Sequence, residues 1–141
     1  MARLAYIQDK IVSIEEAQKH IALYKLKNES LVFTNGCFDV LHLGHVRYLA
    51  AAADLGSHLI VAINTDDSVR RLGKAPNRPI NPNDARATLI AALGFVDDAC
   101  DRARLRHALQ SQTALDPAAA AKSAAWLAEA DEALDWAVER L

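Results

Sequence analysis

Two histidines three residues apart, His42 and His45, flank Gly44 at the point where an apolar run gives way to a helical pattern; residues 32–49 read VFTNGCFDVLHLGHVRYL. Imidazoles at that spacing converge on the first turn of a helix. Near neutral pH an imidazole can donate a hydrogen bond and take partial positive charge. A helix opening near Gly44 adds unsatisfied N–H groups and the positive end of its dipole. Gly36, in the turn that follows the strand, has no side chain to keep the backbone from an anion. Together these groups suit a phosphate held beyond a strand end, where donors favour a transition state that gathers charge on the non-bridging oxygens.

The bland readings are clear. A lone histidine at a helix start is usually a cap or surface residue, and H-x-G-H has only three fixed positions. Context raises the pattern: a strand before it, a glycine turn and Asp39 between, a helix after. Metal binding by the pair has no third ligand with a claim from the sequence, so no metal site is expected in the protein itself.

The elements that must position this pair can be read outward from it. Leu31–Thr34 is the first strand. Gly44–Leu55 is a helix with Val46, Leu49, Ala50 and Ala53 inward, ended by Gly56. His58–Ile63 is a continuous apolar run, as in a parallel strand covered on both faces. Thr65 or Asp66 caps a short helix through Leu72. Residues 73–82 hold three prolines and form a loop. Asn83 or Asp84 caps a helix carrying Ala87, Ile90, Ala91 and Leu93, ending near Gly94. Phe95 and Val96 begin a third strand that Asp97-Asp98 interrupts. Upstream, Ser13-Ile-Glu-Glu16 is a capping box opening a packing helix that ends near Asn28.

This order predicts an α/β fold: a Rossmann-like, doubly wound parallel sheet of two or three strands. Residues 1–30 form an N-terminal packing segment and 31–100 the α/β core. Residues 101–141 are alanine-rich, with Thr113 and Val138 their only β-branched residues, and predict an all-helical tail.

Composition sets the outer limits. The chain has 141 residues, 52% hydrophobic and 24% charged, enough for one domain with a single core. A formal net charge of −2 provides no general attraction to nucleic acid or to an anionic membrane, so neither is an expected partner. Two cysteines, Cys37 and Cys100, make no disulfide framework. No run approaches the roughly 20 apolar residues of a membrane span. Asp9 and Glu15 stand where a signal core would be apolar, and the expected location is the cytoplasm.

The segment TNGCFDVLHLGH resembles the signature of the cytidylyltransferase-like nucleotidyltransferases, and within them the ADP-heptose synthase type. LIVAINTDDSVRRL resembles that family's second strand and Asn-x-Asp turn. GKAPNRPINPNDARATLIAALGFVD resembles its lysine-containing loop, Arg-Pro-Ile segment and arginine-bearing helix. The likeness covers residues 11–99. It implies transfer of AMP from ATP to a sugar 1-phosphate such as heptose 1-phosphate, with pyrophosphate leaving and Mg²⁺ accompanying the nucleotide. Carried onto this chain, His42 and His45 would stabilise the α-phosphate and Lys74 would reach the phosphates, in a loop that reads Leu-Gly-Lys where the family more commonly has Leu-Lys-Gly. Thr34, Asn35, Gly36, Cys37 and Phe38 would form the turn beside the nucleotide. Asp39 would order that turn, Gly44 would open the helix, and Asn64 and Asp66 would lie by substrate or nucleotide. Arg78 and Arg86 stand as phosphate contacts, with a structural salt bridge as the alternative for both.

Beyond Val96-Asp97 the family continues with a full third strand, two further parallel strands, a Lys-Gly-Gly-Asp-Tyr-type turn and a Ser/Thr-rich helix start. Residues 98–141 carry no such pattern. The first strand is therefore expected at a sheet edge. Either the alanine-rich tail covers that edge, or a second chain pairs there or through the tail helix as a homodimer. Two function classes follow: the adenylyltransferase, with cytidylyl transfer to an alcohol phosphate such as glycerol 3-phosphate as its sibling, or an inactive nucleotide-binding or interaction module.

Overall fold

The parallel sheet is built around its most apolar segment. A computed structural model describes residues 2–73 and 75–101. Among the described residues, strand β2 (His58–Ile63) lies in the middle of a three-stranded sheet, between β1 (Leu31–Gly36) and β3 (Asp98–Asp101). Both pairings are parallel, with Leu31 opposite His58, Gly36 opposite Ile63, and Ile60 opposite Asp98. Leu59 through Ile63 are all buried, so both faces of β2 are covered, as its unbroken apolar run requires. Burying each of the larger side chains there contributes roughly 1.5–3 kcal/mol.

The helices follow the chain order α1 (Ala2–Asp9), α2 (Ile14–Leu26), α3 (Leu43–Ala53), α4 (Asp66–Arg71) and α5 (Asn83–Ala91). Helix α3 packs on β1 and β2, α5 on β2 and β3, and α2 on β3. The architecture is the expected Rossmann-like α/β arrangement. The capping box forms as expected: the Glu16 N–H donates to Ser13 Oγ at 3.2 Å and the Ser13 N–H donates to Glu16 Oε2 at 3.1 Å.

Several elements differ from expectation; helix α3 starts one residue earlier and ends two residues earlier than expected, at Leu43 and Ala53. Strand β1 runs two residues further, because Asn35 and Gly36 pair with Ala62 and Ile63; the turn therefore begins at Cys37. The N-cap of α5 is Pro82, not Asn83 or Asp84, and it makes no side-chain cap bond. Helix α1 precedes the packing helix and has no buried residue, so it leaves no apolar stripe in the sequence. The third strand begins at Asp98 instead of ending there. The acidic pair does not break it, because each carboxylate has a partner: Asp97 Oδ2 accepts the Leu59 N–H at 2.7 Å, and Asp98 Oδ2 lies 2.8 Å from His20 Nδ1. On the far side of β3, Ile11 bridges Ala99 in parallel. The expected tail helix and edge cover fall outside the described residues.

Candidate nucleotide site

Parallel pairing brings the ends of β1 and β2 to one edge of the sheet, and the histidine pair stands just beyond it. His42 is the N-cap of α3 and His45 its third residue. The Gly44 N–H donates to His42 Nδ1 at 3.0 Å, and the His42 N–H donates to His45 Nδ1 at 3.3 Å. The two rings stack with centroids 3.8 Å apart, and the Phe38 ring meets His45 edge-on at 5.4 Å. Since each Nδ1 accepts, the hydrogen-bond partners assign the neutral tautomer with its proton on Nε2 to both rings. The pKa of His45 is lowered by burial and then by the neighbouring His42, against a ring N–H bond donated to the Val40 backbone carbonyl, which acts the other way. The pair is thus arranged as hydrogen-bond donors whose strength comes from placement.

Gly44 is required by this arrangement. A Cβ there would meet His42 Cε1 at 2.8 Å and Nδ1 at 3.0 Å. Gly36 has a different reason from the expected close approach of an anion: a Cβ would meet the Phe38 ring at 2.8 Å, so the ring already fills that space. Phe38 itself is buried and holds φ at 49°, a left-handed conformation that costs a side-chain-bearing residue roughly 1–2 kcal/mol. Thr34 is fully buried and its hydroxyl pairs with that of Tyr48 on α3, while Asn35 is also buried; both support the turn from beneath.

Asp39 orders the turn through a second loop. Its Oδ2 accepts from Arg78 Nη1 at 2.7 Å, and its Oδ1 accepts the N–H groups of Ile80 at 2.7 Å and Asn81 at 3.0 Å. Asn81 Nδ2 also donates to the Asp39 carbonyl at 2.7 Å. Burial raises the Asp39 pKa, but the Arg78 hydrogen bond, the two backbone amides and the Arg78 charge outweigh it and hold the carboxyl below its ordinary value. The Arg78–Pro79 peptide in this loop is cis.

Arg86 lies beneath, with no exposed side-chain surface. Its Nη1 donates to the carbonyls of Cys37 and Asn64, each at 2.7 Å, its Nε to the Asn81 carbonyl at 3.0 Å, and its Nη2 to Asp66 Oδ1 at 2.6 Å. Asn64 is buried, and its Nδ2 donates to Cys37 Sγ at 3.3 Å. Of the expected residues, the structure brings His42, Gly44, His45, Cys37, Phe38 and Asp39 into one loop, ties Asn64, Asp66 and Arg78 to it, and buries Arg86 away from any ligand-facing surface. Arg86 takes the salt-bridge alternative, since a cation enclosed by protein acceptors has no face left for a phosphate. Lys74 falls outside the described residues. Asn81 and Tyr48 were missed; the Arg-Pro-Ile-Asn-Pro segment was the signal for the first, and Tyr48 sits in an ordinary helical pattern with none.

No group of three or more His, Cys, Asp or Glu side chains among the described residues is placed to hold a metal ion. The Asp39 oxygens already accept three donors, and Asp66 is engaged by Arg86. Both carboxylates are thus committed to protein donors. No helix among the described residues is long and apolar enough to cross a membrane.

The family model for cytidylyltransferase-like proteins matches residues 33–139, past residue 99 where the likeness read from motifs stops. The chain is 58% identical over 86 residues to a bifunctional protein HldE of Aeromonas hydrophila, spanning 60% of this chain and 18% of that one. It is 55% identical over 93 residues to a D-beta-D-heptose 1-phosphate adenylyltransferase of Bordetella bronchiseptica, spanning 66% of this chain and 57% of that one. The chain therefore spans less than two thirds of the length of these relatives. Among solved structures, a lipopolysaccharide core biosynthesis protein from Thermoplasma volcanium GSS1 aligns with TM-score 0.48 and 39% identity, over 51% of this chain and 57% of that one.

Proposed function

This chain belongs to the cytidylyltransferase-like family, and from that premise we propose that it transfers AMP from ATP to a sugar 1-phosphate, heptose 1-phosphate being the acceptor that the name of the Bordetella bronchiseptica relative supports. The observation that carries the proposal is the stacked His42–His45 pair at the start of α3, with both Nδ1 atoms accepting backbone N–H groups. A phosphate oxygen of the sugar phosphate forms the new bond to the α-phosphorus. The bond from that phosphorus to the α–β bridging oxygen breaks, and pyrophosphate leaves with the electron pair. His42 and His45 donate to the non-bridging oxygens as charge gathers there, and the α3 N-terminus adds its dipole. Lys74 is assigned to the phosphates on resemblance, in the loop whose later residues Asp39 holds. Mg²⁺ bound to the triphosphate supplies charge neutralisation of the leaving group.

The Arg78-Pro79-Ile80-Asn81-Pro82 segment supports the heptose type over cytidylyl transfer to an alcohol phosphate. The test is pyrophosphate release from ATP or CTP with Mg²⁺ and heptose 1-phosphate. ATP-dependent release that His45→Ala lowers by about 10²–10³, with far-UV circular dichroism unchanged, supports the reading. Binding of ATP without release by the wild-type chain would replace it with a nucleotide-binding module, and unchanged release in His45→Ala would remove the histidines from the site.

A further inference from the structure

We propose that Arg86 is a positioning residue for the histidine pair: from beneath the site it sets the loop that carries His42 and His45 in register with the end of β2 and with the 78–82 segment. The inference deepens the nucleotidyl-transfer reading, and its turnover measurement rests on that reading. It is carried by where the Arg86 bonds go. Nη1 bridges the carbonyls of Cys37 and Asn64, the residues that directly follow β1 and β2. These two strand ends are already joined by the Asn64 N–H to the Gly36 carbonyl at 3.0 Å and by Asn64 Nδ2 to Cys37 Sγ. Nε holds the Asn81 carbonyl, and Asn81 in turn binds Asp39 inside the histidine loop. Nη2 holds Asp66 at the first turn of α4.

One planar cation thereby fixes three loops that are distant in sequence. A guanidinium suits this, because its N–H donors leave in fixed directions and cannot follow a loop that drifts. The loop needs such a tether, since it contains Phe38 in a left-handed conformation that neighbours must enforce. A purely structural arginine would affect stability alone. A positioning arginine also moves the imidazoles, and a displacement of about 1 Å at reacting groups costs on the order of 10² in rate.

The experiment compares the full wild-type chain with Arg86→Lys, which keeps a charge but loses the planar fork. Two readouts are taken: kcat and KM for ATP in pyrophosphate release, and the imidazole ¹⁵N signals of His42 and His45. We expect kcat to fall about 10²-fold, KM to change less than about 3-fold, and both imidazole signals to shift. An unchanged kcat with unshifted signals overturns the proposal. Where wild type shows no turnover, the nucleotidyl-transfer reading fails separately, and the imidazole signals alone decide Arg86: shifted supports positioning, unshifted overturns it. Where Arg86→Lys does not fold, Asp66→Asn, which retains the guanidinium and weakens one anchor, is measured with the same two readouts and the same outcomes.

Discussion

Asp39 and Arg78 stand 39 positions apart in the chain, yet Arg78 Nη1 donates to Asp39 Oδ2 at 2.7 Å, and the other carboxylate oxygen takes two amides from the same segment. The loop bearing the histidines and the loop expected to reach the phosphates are thus one unit. Asp39 is a strut of that unit, since its acceptors are committed to protein donors.

Asp39→Ala should therefore destabilise the fold by about 3 kcal/mol, the range for removing a carboxylate that accepts several hydrogen bonds and leaves a partner cation unpaired. Urea unfolding of the two proteins measures it. The Asp39 pKa is depressed, so its contribution is present above the unfolded value near 3.8 and is lost as pH falls through the lower folded value. A difference below about 0.5 kcal/mol would mean that the clamp adds nothing beyond an ordinary surface pair.

Gly44→Ala should separate stability from activity. Alanine is favoured over glycine in a helix by up to about 1 kcal/mol, so the fold should be unharmed. The new Cβ would sit 2.8 Å from His42 Cε1, and the ring must turn away. Thermal melting should be unchanged or raised, while turnover falls at least about 10-fold, the cost of losing part of a well-placed donor. Full activity in this variant would show that the observed His42 orientation is not the working one.

The pH profile of turnover should show that His45 acts as a neutral donor. Burial and His42 lower the His45 pKa below 6.5, so activity should hold as pH drops to 6.5 and decline only beneath it, when the ring takes a proton on the nitrogen that accepts the His42 N–H. The stability sign agrees: below 6.5 the unfolded chain binds the proton first, and the His45 contribution is lost as pH falls through the folded value. A turnover rate that climbs as pH falls below 6 would instead indicate an imidazolium.

His58, at the opposite end of the sheet, should show the reverse dependence. Its Nε2 lies 2.7 Å from Glu29 Oε2, its Nδ1 lies 3.3 Å from Asp97 Oδ1, and the Tyr24 ring stacks on it at 3.7 Å. Burial lowers its pKa, but the bonds to Glu29 and Asp97 and their charges outweigh this and raise it. Two carboxylate partners require both ring nitrogens to donate, hence the charged ring. Its contribution is fully present below 6.5 and is lost as pH rises from there through the higher folded value. Melting temperatures at pH 6 and pH 8 should differ more for wild type than for His58→Gln; equal differences would dismiss the pairing.

What the sequence by itself determined was local. Period, caps and apolar runs identified β2, α3 with its histidine pair, and the Ser13–Glu16 capping box, because each depends on residues within one or two helical turns. It also brought out the likeness that implied the family. What only the tertiary structure decided was the set of long-range partners. The Asp97-Asp98 pair reads as a strand breaker until Leu59 and His20, 38 and 78 positions away, are seen to satisfy it. Arg86 reads as either a phosphate contact or a structural salt bridge until the Cys37 carbonyl, 49 positions away, and its other acceptors are seen to enclose it. A charged side chain carries no local mark of burial. Whether it faces water, a ligand or a cage of carbonyls depends on which distant segments fold around it.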